Sequence, residues 1–154
     1  MSSKLELKIP PLVVLGLNGV FMWLVADYVP EWTWIIPEGT VIAIALGVAG
    51  TALILAGAIA FRAAKTTVNP LQPSNATAVV TKGVYAISRN PMYLGFLLIL
   101  LSWAVYLSNA ISFAGLFAFV WYMNRYQIFP EERALLAKFG EEYAIYKRNV
   151  RRWL

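Results

Sequence analysis

Apolar residues in this chain come in long runs rather than in alternation with polar ones. Three long apolar runs carry no charge at all: residues 9–26, 39–61 and 90–124. About 20 mostly apolar residues cross the hydrocarbon core of a bilayer as one helix. The first two runs have that length. The third is too long for one crossing and reads as two short helices turned around Leu107, Ser108, Asn109 and Ala110, a small and polar hinge. The pattern therefore predicts four spans, at about 10–28, 40–61, 91–107 and 110–128, with the last two forming a helical hairpin. After Pro130 the rhythm changes. Leu135, Phe139, Tyr143, Tyr146 and Val150 recur at steps of three and four, the mark of one apolar helix face, and charges fill the rest. That predicts a C-terminal amphipathic helix over residues 130–154, lying on the inner membrane surface, with Gly140 as a place to break it in two. The expected fold is an all-α integral membrane protein: one membrane domain, residues 1–154, with a loop at 62–90 in which Pro70 and Pro73 argue against helix.

Composition agrees with a membrane protein. Only 14% of the 154 residues are charged, where a soluble domain carries about 25%. Mean hydropathy is +0.63. Charge also gives an orientation. Lys4 and Lys8 precede the first run; Asp27, Glu31 and Glu38 fill the first loop without a cation. Arg62, Lys65, Lys82 and Arg89 fill the middle loop, and seven more cations follow the last run. Basic loops face the cytoplasm, so both termini and the middle loop are expected inside. No small-residue cleavage site follows the first run, which therefore reads as a retained helix. The net charge of +5 is explained by topology and does not call for nucleic acid.

The chain has no cysteine and no histidine. Disulfides, thiolate nucleophiles and the commonest metal ligands are excluded, so no metal site is expected. Proton chemistry falls to Asp, Glu, Lys, Tyr, Arg or water. Two polar clusters flank the long third run. Tyr85, Arg89, Asn90 and Tyr93 stand before it; Asn124, Arg125, Gln127, Glu131, Glu132 and Arg133 stand after it. A hairpin would bring both to one end. Taken singly these residues have ordinary explanations: Arg89 as a topological anchor, Pro91 as a helix start, Gly95 as a packing position, and Glu131 and Glu132 as helix-start carboxylates. Adjacent helix positions are about 100° apart, so one carboxylate is expected to cap the helix while the other looks into a pocket. An Arg, two Tyr and a Glu suit a zwitterionic ligand: the Arg takes a carboxylate, the Glu an ammonium or ribose hydroxyl, and the rings a sulfonium or adenine. That set of partners fits S-adenosylmethionine without requiring it.

The stretch "GVYAISRNPMYLG" followed by "NRYQIFPEERALLAKFGEEYAIYKRNVRRWL" resembles the isoprenylcysteine carboxyl methyltransferase and phospholipid methyltransferase superfamily, its small bacterial members above all, over residues 62–154. The family pattern is Arg-His-Pro-x-Tyr-x-Gly, a hydrophobic hairpin, then a Glu pair. Arg89, Pro91, Tyr93 and Gly95 match the first part, and Glu131 and Glu132 the last; Asn90 stands where the family has His. The resemblance implies an S-adenosylmethionine-dependent methyltransferase in a bacterial inner membrane, its active site cytoplasmic and its acceptor lipidic or hydrophobic. It implies that Tyr85, Arg89, Asn90, Pro91, Tyr93, Gly95 and Glu131 line the cofactor pocket. Glu131, Glu132 and Arg125 would serve the acceptor side and catalysis. Asn90 keeps hydrogen-bonding capacity but carries no proton at neutral pH. Two other readings share these features: a nicotinamide-dependent reductase on a related scaffold, and a non-enzymatic assembly protein whose tail binds anionic lipid. Four short spans leave helix surface unpaired, which leaves room for a homodimer.

Overall fold

The computed structural model describes residues 5–66 and 69–154; Lys4, one of the two N-terminal anchors, lies outside them. Six α-helices are present and no strand among the described residues. They are α1 (Pro11–Tyr28), α2 (Gly39–Ala63), α3 (Pro91–Leu107), α4 (Ala114–Tyr122), α5 (Phe129–Phe139) and α6 (Glu141–Asn149). α1 and α2 are long and apolar enough to cross a membrane; α3 is a shorter apolar helix. Their outer faces are apolar and bare, with Leu17, Val48 and Ile59 each more than 60% exposed. Such surface is costly in water and ordinary against lipid chains.

The element boundaries have local causes. Pro11 and Pro91 each open a helix, where the missing N–H costs nothing. α3 ends at Ser108, in the left-handed conformation (φ 51°). Asn109 then fixes the turn. Its amide donates to the Val29 carbonyl (2.9 Å) and the Thr33 hydroxyl (3.2 Å), while its Oδ1 accepts the N–H groups of Ile111 and Ser112. The hinge is thus pinned to the loop after α1. A short 3₁₀ turn at Ile111–Phe113 leads into α4. α4 runs without a break through a π-helical turn, Met123–Ile128, into α5.

α3 is the central element, with α2 packed along one side and α1 and α4 on others. Met22, Phe96, Leu100, Ala104, Phe119 and Met123 form the core between them. α2 and α3 cross at a pair of glycines: a Cβ on Gly95 would stand 2.6 Å from the Gly50 carbonyl oxygen. Polar side chains staple the same helices. Ser102 Oγ donates to the Ala43 carbonyl (2.6 Å), and the Trp103 indole donates to the Gly19 carbonyl (3.0 Å).

The tail breaks at Gly140, as its sequence allows. Gly140 adopts φ 53°, ψ −123°, a conformation open to glycine, and the chain continues as α6. Tyr143 and Tyr146, expected on a membrane-facing stripe, are buried against the polar cluster instead.

Candidate active site

A cavity of about 270 Å³ lies where the start of α3, the start of α5, α6 and the 69–80 loop meet. Its lining includes the apolar side chains of Leu12, Phe61, Met92 and Phe96. It also includes Tyr85, Arg89, Asn90, Tyr93, Glu131 and Glu132. The two polar clusters do come together at one end of the hairpin.

The carboxylates have separate environments. Tyr93 at the first turn of α3 donates its hydroxyl to Glu131 Oε1 (2.5 Å). Gln127, in the π turn, donates its amide to the same oxygen (2.5 Å) and to the Pro70 carbonyl (2.7 Å). Isolated π turns within α-helices are frequent at functional sites. Burial pushes the Glu131 carboxyl up; the two hydrogen bonds pull it down, the Glu132 charge adds to the rise, and it settles at about 7. Glu132 shares the burial, but there burial is outweighed. Hydrogen bonds from Arg152 and the charges of Arg89, Arg152 and Lys147 hold it below the usual carboxylate range. Burial likewise pushes up the phenols of Tyr85, Tyr143 and Tyr146, which are neutral hydrogen-bond donors at physiological pH.

Glu132 is the hub of an ion cluster. Arg89 Nη2 donates to its Oε1 (2.8 Å), and Arg152 grips both oxygens, Nε to Oε1 (3.0 Å) and Nη2 to Oε2 (2.9 Å). Lys147 Nζ stands 3.4 Å from Oε2. The side chains of Arg89 and Glu132 are only 8% and 5% exposed. Neither carboxylate caps α5. The expectation of one capping Glu and one pocket Glu is corrected: both line the cavity, one holding neutral donors and the other cations.

Arg89 spends Nη1 on the Lys147 carbonyl (2.7 Å) and Nη2 on Glu132. Its buried Nε has no protein partner. Asn90 lines the cavity and donates its amide to the Arg152 carbonyl (2.9 Å). Three predicted site residues are not brought to the cavity. Pro91 starts α3 and is buried in the helix packing, and Gly95 faces Gly50 on α2. Arg125 turns away and donates to Glu6 Oε1 (3.1 Å).

Glu6 is a residue the sequence did not single out. It also takes Arg133, so the two cations enclose a carboxylate that is only 6% exposed. The docking point has a covalent cause. Pro130 has no N–H for the Tyr126 carbonyl one helical turn back, and that oxygen accepts the Leu7 N–H (3.0 Å). The N-terminal segment is thereby laid along the cavity, and Pro10, Pro11 and Leu12 become its wall. Arg152 and Lys147 were also missed; read by periodicity alone they are the polar face of a surface helix.

A family profile described as phospholipid methyltransferase matches residues 39–142. The chain belongs to the phospholipid methyltransferase family. The match reaches back over α2, beyond the region in which the sequence motifs lie, and stops at Glu142, before most of α6. A relative of this phospholipid methyltransferase family member, the human protein-S-isoprenylcysteine O-methyltransferase, is 37% identical over 79 residues, 51% of this chain and 28% of the human one. Protein-S-isoprenylcysteine O-methyltransferase B of Arabidopsis thaliana is 39% identical over 72 residues, 47% of this chain and 36% of the plant one. An uncharacterized protein of Haemophilus influenzae is 49% identical over 63 residues, 41% of this chain and its own full length. The chain thus spans about a third or less of the named methyltransferases it matches. The resemblance to the isoprenylcysteine and phospholipid methyltransferase superfamily is borne out.

The Glu131 environment yields a test of its own. A carboxyl raised in the folded state above its unfolded value of about 4.3 binds a proton on folding, so stability falls as pH rises from there to about 7 and then levels. Glu131→Gln mimics the protonated form. The variant is expected to match the parent below the unfolded value and to melt at higher temperature than the parent above pH 7. Thermal unfolding of both proteins in detergent across pH 4 to 8 measures this. A parent that gains on the variant as pH rises would contradict the assignment.

Proposed function

We propose that this family member is a membrane-embedded S-adenosylmethionine-dependent methyltransferase acting on a lipidic or hydrophobic acceptor. One observation carries the reading: a single cavity is lined both by apolar side chains of α1, α2 and α3 and by the polar residues of the Arg89 and Glu131 motifs. A polar donor and an apolar acceptor share such a space at a membrane surface. The alternation of basic and acidic loops supports a reading in which this end of the bundle faces the cytoplasm, with a bacterial inner membrane as the proposed location.

The donor set suits the cofactor. The buried Arg89 Nε lacks a partner and is a donor for a carboxylate. Glu131 accepts from an ammonium or a ribose hydroxyl. Tyr85, Tyr143 and Tyr146 offer faces for a sulfonium or a purine. S-adenosylmethionine supplies an activated methyl group already attached to its own leaving group. The chain's residues then have three tasks. They align the acceptor, they exclude water through the apolar part of the lining, and they handle a proton where the acceptor loses one. Glu131, near 7, is suited to take a proton from an amine. A carboxylate acceptor needs no base at all. Catalysis here does not require an imidazole, in keeping with Asn90.

The experiment is transfer of labelled methyl from S-adenosylmethionine to a panel of acceptors: a prenylated cysteine, an aminophospholipid, an isoprenoid quinol and a hydrophobic thiol. Label in one lipid-soluble product, lost in Glu131→Ala, is expected. Absence of transfer to every acceptor, together with absence of donor binding, would favour the non-enzymatic reading.

A further inference from the structure

Both sequence motifs of the site end on the same short piece of chain. The Arg89 N–H donates to the Arg151 carbonyl (2.9 Å), and Ser88 and Arg151 pair as a lone parallel bridge. The Asn90 amide (2.9 Å) and the Ser88 hydroxyl (3.3 Å) both donate to the Arg152 carbonyl. Arg89 Nη1 caps the Lys147 carbonyl in the last turn of α6. From the other side, the Arg152 guanidinium lies 4.2 Å from the Phe129 ring centre and grips both oxygens of Glu132. The Trp153 indole donates to Asn124 Oδ1 (3.2 Å). Residues 147–153 thus touch the start of α3, the π turn and the start of α5, and join all three.

Arg152 has a particular place in this. A carboxylate held by one cation swings about its bond; a planar fork on both oxygens fixes it. With Glu132 fixed, Arg89 is fixed by two of its nitrogens, and only its Nε is left over. Asn90, at the position of the family histidine, spends its amide on the strap's backbone.

We propose that residues 147–153 form a strap that shapes the donor site. Arg152 is a positioning residue that sets Arg89 through Glu132. Asn90 is the hook that holds the strap and acts on the Arg152 backbone rather than on a reactant. This rests on the methyltransferase reading only for its affinity readout.

The test uses the full chain in detergent, with two readouts: amide exchange without ligand, and affinity for S-adenosylhomocysteine. Arg152→Ala is expected to speed exchange at residues 88–90 by about tenfold or more and to weaken binding by a similar factor, with amides of α2 unchanged. Arg152→Lys is expected to recover part of both effects, since charge returns without the fork. Arg152→Ala combined with Asn90→Ala is expected to add little to either single change, because both release one strap. Additive effects, or unchanged exchange at residues 88–90, would overturn the proposal. Should Arg152→Ala speed exchange in α2 as well, Asn90→Ala, which removes one hydrogen bond, carries the same comparison. A parent that binds no S-adenosylhomocysteine defeats the methyltransferase reading, and exchange alone then decides the strap.

Discussion

Glu132→Ala is expected to destabilise the protein by about 3–5 kcal/mol and to abolish donor binding, although Glu132 need not touch a reactant. The reason is what it leaves behind. Arg89 would remain buried with its charge unpaired, and Arg152 and Lys147 would lose their common partner. Glu132→Gln keeps the shape but not the charge and is expected to be nearly as damaging. Reading the residue as a helix cap would have given a much milder loss, about 1 kcal/mol. Thermal unfolding in detergent separates the two. Acid should act in the same direction as the substitution. The folded-state carboxyl is held below its unfolded value, so its contribution is complete above about pH 4.3 and is lost as pH falls through the folded value. This slope is opposite to that of Glu131, one residue earlier, and a Glu131→Gln background exposes it.

Gly95→Ala is the second large effect. The new methyl would stand 2.6 Å from the Gly50 carbonyl oxygen and 2.6 Å from Ile54 Cγ1. The first of these atoms is backbone, so α2 must move as a body. The reverse substitution meets the same wall, since a Cβ on Gly50 would lie 2.7 Å from the Gly95 oxygen. Overpacking of this kind costs about 1–3 kcal/mol. Gly95→Leu is expected to prevent recovery of folded protein. Donor affinity should fall with Gly95→Ala too, because Tyr93 lies half a turn away on the same helix, which shifts against α2, and holds Glu131. Gly83→Ala, a change in a loop with open space around it though at φ 64°, serves as a comparison of backbone strain without packing. An alanine at Gly95 that leaves both melting and affinity unchanged would mean the helices do not meet there.

The main helices were legible because their cause is local. Uncharged runs mark α1, α2 and α3, Pro91 marks the start of α3, and Ser108 with Asn109 marks the turn. The meeting of the two polar clusters was legible as well, since a hairpin with polar residues at both open ends leaves few alternatives. Pairing was not legible. Whether Glu131 or Glu132 meets Arg89 depends on the register that the π turn imposes, and periodicity carries no sign of it. Glu6 could not be linked to Arg125 and Arg133, because nothing near Glu6 in sequence marks the carbonyl that Pro130 leaves open. The tail was misread for a similar reason. Tyr143 and Tyr146 have the spacing of a membrane-facing stripe, but beyond the break at Gly140 both are buried in the cavity lining. The sequence names Gly140 as a place to break; the direction after the break comes from Arg89 and Glu132.

The most direct measurement of the central claim is calorimetric titration of S-adenosylhomocysteine into the purified chain, repeated in lipid nanodiscs. Binding in the micromolar range, about −8 kcal/mol, is expected, with loss in Arg89→Ala and Glu131→Ala at unchanged helix content. No heat in either medium, from protein whose helices are intact, would contradict a methyl-donor site in this cavity.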